Sequence, residues 1–340
     1  MRQKGIMATN SNPTNNGKAG DHLSATNARR LASLAHALGP EIGEALSNPK
    51  VTDLLLNADG NLWCQEHGKP RRIIAQMSPA QAESVIRLLA SHMGAEVTRE
   101  RPIVSGVLPG TIARFQGVLP PISRRPIFAI RKHSEVIYTL DDFVRDGILS
   151  SAATDCLREA IQRRENLLIV GSAGSGKTTL ANACLAERAF CHGRIVIIED
   201  TRELQSLAED LVELVASPLS GNVSMDELVR TTLRLFPDRI VVGEVRAGAE
   251  TLSMLKAWAT GHPGGLCTLH ANGPRDALYR LEDLVGEVSA TVPRRTIAAA
   301  VQLVVFIERG DFPPAGRKVT AVSRPRLQPK GDYDFEDVPI

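Results

Sequence analysis

The sequence predicts a two-part protein: a small α+β domain, then a larger α/β domain whose parallel sheet is covered on both faces. Three observations predict this. From about residue 151, short apolar runs alternate with helical patterns: LLIV (167–170), RIVIIED (194–200) and RIVVGE (239–244). Strands that are apolar throughout, rather than at every second position, belong to parallel sheets buried between helices. Between about 28 and 133 the pattern differs, with one amphipathic helix among short runs rich in Pro, Gly, Arg and β-branched residues. A length of 340 residues suits about two domains.

Residues 1–27 are rich in Asn, Ser, Thr and Gly, and such a composition predicts a disordered tail. The α+β domain is expected over 28–133. Within it, VTDLLLNADGNLWCQEHGKPRRI (51–73) places Asp59-Gly60 between apolar runs, a hairpin signal. SPAQAESVIRLLASHMG (78–94) reads as a helix. Ser78 caps it, Pro79 suits the first helical position, and Gln81 has capping-box spacing. Val85, Ile86, Leu89, Ala90 and Met93 share one face, and Gly94 ends the helix. Residues 101–133 read as short strands.

TLDDFVRDGILS lies in a connector expected over 134–150, with Thr139 and Asp142 at capping spacing. The larger domain is expected over 151–329. KTTLANACLAERAF (177–190) and SMDELVRTTLRLF (224–236) read as helices, as does Asp276 to Val285. LVVFIE (303–308) and RKVTAVS (317–323) read as a hairpin, and 330–340 as a loose acidic tail.

Composition removes several function classes. The formal net charge is +2 and aromatics are 4%, which suits neither a strong nucleic-acid field nor a base-stacking surface. Five cysteines, at 64, 156, 184, 191 and 267, are scattered and form no CxxC pair. That pattern fits a reducing compartment rather than a disulfide framework. No apolar run reaches the roughly 18 residues of a membrane span. The first twenty residues carry no apolar core of signal-peptide type. These observations predict a cytoplasmic chain whose membrane contact, if any, is peripheral.

GSAGSGKT (171–178) matches the phosphate-binding pattern G-x-x-x-x-G-K-[ST] in the required context, after a strand and at the start of a helix. Gly171, Gly174 and Gly176 let the loop curl, so that backbone N–H groups from Ser172, Ala173 and Ser175 through Lys177, Thr178 and Thr179 can face phosphate oxygens. The helix N-terminus adds its positive end. Lys177 is expected to reach the β- and γ-phosphates of ATP, and Thr178 to bind Mg2+. Two acidic stretches follow at predicted strand ends: Glu199, Asp200 and Glu203 in EDTRE, then Glu244 with Arg246 in GEVR. One carboxylate is expected to serve the Mg2+ shell and another to orient the attacking water.

The four blocks GSAGSGKTT, IIEDTREL, RIVVGEVRAGAET and TGHPGGLCTLHAN, in that order, resemble the Walker A, acidic, Walker B and His boxes of the secretion ATPase superfamily of type II and type IV secretion, pilus motors and conjugation. VTDLLLNADGNLWCQEHGKPRR and RFQGVLPPISRRPIFAIRK are similar to the conjugal-transfer (TrbB-like) branch. The resemblance spans about 30–325. It implies a RecA-like P-loop ATPase domain behind the smaller N-terminal domain, a homo-hexameric ring at the cytoplasmic face of the inner membrane, and ATP between the two domains. It also implies inner-membrane type IV secretion or conjugation subunits as partners. By motif, Glu199 is the first choice for the catalytic carboxylate and Glu244 for the Walker B acid holding Mg2+ through water, although the two roles are interchangeable at this stage. Arg114 and Arg131, and more weakly Arg124, match N-terminal arginines that approach nucleotide.

His262, Cys267 and His270 leave three readings open: zinc ligands, buried structural groups, or, as the resemblance implies, a nucleotide sensor centred on His270 beside the γ-phosphate. Gly264, Gly265 and Gly273 are expected to let this loop move. The resulting function is an ATP-driven motor for pilus assembly or substrate transfer, with the connector as hinge. The alternatives are a helicase-like nucleic-acid translocase, a type IV pilus or type II secretion motor, and an ATP-binding scaffold with little turnover. Direct DNA binding is expected to be nonspecific at most.

Overall fold

The computed structural model describes residues 32–66, 69–111, 113–132, 137–216 and 223–339. The tail expected at 1–27 lies outside the described residues. The chain divides into two compact units between 133 and 134.

The first unit is an antiparallel sheet backed by helices. Its strands are β1 Val51–Leu56, β2 Asn61–Glu66, β3 Arg72–Gln76, β4 Ile103–Val107, β5 Arg114–Val118 and β6 Ile127–Arg131, in the order β3-β2-β1-β6-β5-β4. The β1–β2 hairpin turns at Asp59-Gly60 as expected. Asp59 accepts the Asn61 N–H at 2.9 Å, and Gly60 takes φ +88, where an L side chain is strained. The Pro79–His92 helix buries Ala82, Val85, Ile86, Leu89 and Ala90 against the sheet. Ser78 Oγ caps it by accepting the Gln81 N–H at 3.2 Å. The reciprocal half of that box is not made: Gln81 Nε2 donates to Ala37 O at 3.3 Å instead.

The second unit is built on eight strands: β7 Leu167–Val170, β8 Ile195–Glu199, β9 Leu211–Val215, β10 Arg239–Glu244, β11 Leu266–Leu269, β12 Leu303–Arg309, β13 Arg317–Leu327 and β14 Tyr333–Asp337. Their order is β14-β13-β12-β7-β11-β10-β8-β9. β12, β7, β11, β10, β8 and β9 are parallel; β13 pairs antiparallel with β12, and β14 antiparallel with β13. Leu167, Ile169, Ile195 and Ile197 pack into one core, while Leu168, Val170, Val196 and Ile198 pack into the other. Every residue of these stretches is therefore inside, which explains their unbroken apolar character. Each such side chain contributes about 1.5–3 kcal/mol by leaving water.

Three expectations about boundaries change. The connector is part of the second unit from Leu140 onward. Leu140–Arg145 is a helix with a complete Thr139/Asp142 capping box, and Leu140, Phe143, Ile148 and Leu149 are buried in the core of that unit. The acidic tail is not loose, because β14 pairs with β13 and Tyr333 is buried. Charge alone suggested a solvated tail; the alternating Tyr333 and Phe335 carry the strand. The Lys177–Leu185 helix ends five residues earlier than expected.

At the N-terminal edge of the second sheet, Arg239 is only 2% exposed. It donates to the carbonyls of Gly264 at 3.1 Å and of Ile161 and Ala189 at 3.0 Å, and stacks on Phe190 at 4.5 Å. One guanidinium thus joins three chain segments at the start of β10. Arg239→Ala would leave three carbonyls without their donor, and we expect a loss of about 3 kcal/mol in urea unfolding of the second unit. A loss below about 1 kcal/mol would show that water replaces the side chain.

Candidate functional site

In a parallel sheet the loops at the carboxyl ends of the strands share one edge. β7, β8, β10 and β11 end at Val170, Glu199, Glu244 and Leu269. The phosphate loop, the first acidic stretch, the second acidic stretch and His270 therefore meet at one edge although they are spread over a hundred residues of sequence.

The phosphate loop is shaped by contacts only glycine permits. A Cβ on Gly171 would lie 2.2 Å from Ile307 O, and Gly176 sits at φ +107 as the residue preceding the Lys177–Leu185 helix. The first N–H groups of that helix have no partner within it. Lys177 is 6% exposed, and its Nζ lies 3.0 Å from Gly171 O, 3.0 Å from Ser172 O and 3.1 Å from His270 Nδ1. Burial lowers the Lys177 pKa, against the opposing pull of Glu244.

A chain of polar contacts runs from this lysine. An ammonium only donates, so His270 Nδ1 accepts from it and Nε2 carries the proton. Nε2 then donates to Glu244 Oε1 at 3.1 Å. Arg246 Nε donates to Glu244 Oε2 at 2.6 Å, and its Nη1 to Asp200 Oδ2 at 2.8 Å. The neighbours of His270 thus select one neutral tautomer.

Glu199 is 4% exposed and lies against Gly243, where a Cβ would come within 2.9 Å of Glu199 Cγ. Its Oε1 accepts the N–H groups of Glu203 and Leu204, both at 2.9 Å. That grip turns the chain after β8 back toward the helix, so that Glu203 Oε2 accepts from Thr178 Oγ1 at 3.2 Å. Asn182, one turn further along the helix, fixes the same segment by donating to Glu203 O at 3.1 Å and accepting the Gln205 N–H at 2.9 Å. Asn182 belongs to none of the sequence blocks, and its position one helical turn after Thr178 is the only signal that could have marked it.

The structure brings together Lys177, Thr178, Glu203, Glu244, Arg246 and His270. Arg114 and Arg131 belong to the first unit, where they are direct partners across β5 and β6, with Asp53 opposite Arg131 on β1. Arg124 is exposed in the β5–β6 connection. His262, Cys267 and His270 face different partners. His262 Nδ1 lies 3.3 Å from Ala257 O, and Cys267 Sγ, fully buried, lies 3.2 Å from Thr268 O. Gly265 serves close packing rather than motion: a Cβ there would lie 2.2 Å from Trp258 Nε1, and its N–H donates to Asn166 Oδ1 at 2.8 Å.

Residues 108–311 match the family described as "Type II/IV secretion system protein", and the chain belongs to that family. It is 43% identical over 310 residues to a probable conjugal transfer protein TrbB of Sinorhizobium fredii, covering 91% of this chain and 93% of the relative. It is 44% identical over 296 residues to the conjugal transfer protein TrbB of Rhizobium radiobacter, covering 86% and 90%. Its fold is also that of the pilus retraction motor PilT solved with ADP, at a TM-score of 0.61 and 19% identity over 88% of this chain and 82% of that one. Among the described residues no helix is long and apolar enough to cross a membrane.

Burial pushes the Glu199 carboxyl from its ordinary 4.5 up to about 7, against the downward pull of the Glu203 and Leu204 N–H groups. Between those two values the folded chain holds a proton that the unfolded chain has released, so stability falls as pH rises through this window. Glu199→Gln keeps an oxygen for the two N–H groups and cannot ionise. Its melting temperature relative to the parent should therefore rise between about pH 5 and about pH 8. An equal difference at both ends would contradict a buried ionisation at this position.

Proposed function

We propose that the chain is the ATP-hydrolysing motor of a conjugal transfer or type IV secretion system, with ATP held by residues 171–179. The observation that carries this reading is the convergence of Lys177, Thr178, Glu203, Glu244 and His270 on one edge of a parallel sheet. Family membership supports the secretion role, and the TrbB relatives favour conjugal transfer.

In this reading the N–H groups from Ala173 to Thr179 receive phosphate oxygens, and Lys177 exchanges its loop carbonyls for the β- and γ-phosphates. A bound Mg2+ would supply positive charge to the phosphates. The donor set suits such a hard cation: the hydroxyl of Thr178 and the carboxylate of Glu203, which already touch, would hold it. Glu244 orients the attacking water, because it is the carboxylate tied through His270 to Lys177. Glu199 acts by positioning, since its oxygen holds the turn that presents Glu203. Sequence had preferred Glu199 for the catalytic carboxylate and Glu244 for the Walker B acid; this reading moves the water to Glu244. His270, bonded to both Lys177 and Glu244, changes partners when the lysine moves and so reports nucleotide state.

The motor works as a homo-hexamer at the cytoplasmic face of the inner membrane, against inner-membrane subunits of the transfer apparatus.

Glu244→Gln separates binding from chemistry. ATP affinity should stay within about threefold of the parent, while turnover falls at least about 100-fold, as expected for loss of a water-orienting carboxylate. Turnover within about twofold of the parent would move that role to another acid.

A further inference from the structure

The phosphate loop has a second flank that none of the four sequence blocks describes. The acids and His270 come from β8, β10 and β11, all on one side of β7 in the sheet. On the other side lie β12 and β13, and their ends at this edge carry Arg309 and Arg317, direct register partners. Both reach the loop. A Cβ built on Gly176 would lie 3.0 Å from Arg317 Nη1 and 3.4 Å from Arg317 Cδ, and one built on Gly174 would lie 3.9 Å from Arg309 Nη1.

Two like charges facing each other across a strand pair repel. Neither guanidinium has a carboxylate partner among the described residues. Arg317 is half-buried while Arg309 is exposed. Burial, then Arg309, pull the Arg317 pKa down, and only the phenol of Tyr138 opposes them. Most other arginines of this unit are treated differently: Arg158, Arg194, Arg246, Arg294 and Arg324 all sit on carboxylates. A half-buried cation beside a second cation, pressed against a loop built for phosphate, is an arrangement that an anion completes.

We propose that Arg317, supported by Arg309, is a nucleotide-binding residue that contacts the phosphate at the nucleoside end of ATP or ADP. This rests on the phosphate-site reading above. The position follows from topology: the reacting end of the nucleotide faces Glu244 and His270 on the opposite flank, so the arginines meet the end shared by ATP and ADP. Arg317 therefore contributes to affinity for both and does not distinguish them.

The test is the binding of ATP and ADP, by calorimetry on the full chain, for Arg317→Gln, Arg317→Lys, Arg309→Gln and Lys177→Ala. Arg317→Gln should weaken ATP and ADP by the same factor, about tenfold, the scale of one charge-assisted hydrogen bond. In turnover the loss should fall on KM more than on kcat. Arg317→Lys should recover part of the affinity, since it keeps the charge and loses the planar fork. Arg309→Gln should have the smaller effect in the same direction. If Arg317→Gln melts early, the other two arginine variants carry the test. Unchanged affinity in all three, with Lys177→Ala weakened, overturns this proposal alone. A loss confined to ATP also overturns it, because it would place Arg317 at the γ-phosphate. Unchanged binding by Lys177→Ala would overturn the phosphate-site reading itself.

Discussion

The site depends on one constraint: β7 runs between β11 and β12, hydrogen-bonded to both and buried on both faces. That position delivers the phosphate loop to the middle of the sheet edge, with β11, β10 and β8 on one side and β12 and β13 on the other. A chain that paired β7 differently would keep the GSAGSGKT sequence and lose its neighbours. The close approach of Gly171 to Ile307 O shows how tightly loop and β12 are matched.

Around that loop, charge is arranged by side. Glu199, Asp200, Glu203 and Glu244 lie on the β11 side, with Arg246 and His270 among them. Arg309 and Arg317 lie on the β12 side. Lys177 is at the centre, buried and shared between loop carbonyls and His270. Opposite charges on opposite flanks favour a polyanion lying along the edge, as the proposed nucleotide site requires. Glu199 and Glu244 also differ in what they meet. Glu199 spends its hydrogen-bonding capacity on the backbone of Glu203 and Leu204, whereas Glu244 keeps contact with groups that face the loop.

Much of this was legible in sequence because the strands are buried on both faces. Unbroken apolar runs identified β7, β8 and β10, and the glycine pattern identified the phosphate loop between β7 and its helix. The Gly248–Ala259 helix was not recognised, since Gly248 and Ala247 lack capping side chains and its burial is spread around the helix. β14 was hidden by Asp334 and Glu336, which are exposed while the alternating Tyr333 and Phe335 pack inward. Within the site, sequence named the acids that the structure brings to this edge, but not which backbone N–H groups each carboxylate meets. It gave no mark to Asn182, which lies in none of the four blocks. Gly265 was misread as a source of motion, because the Trp258 indole that covers it comes from a helix the sequence did not reveal.

The central claim is that this edge of the second sheet binds and hydrolyses ATP. The most direct test is ATP hydrolysis by the intact chain over a range of protein concentrations, with Lys177→Ala measured in parallel. The account predicts turnover per chain that rises with concentration as the ring assembles, and none in the variant. Equal turnover by parent and variant would contradict it.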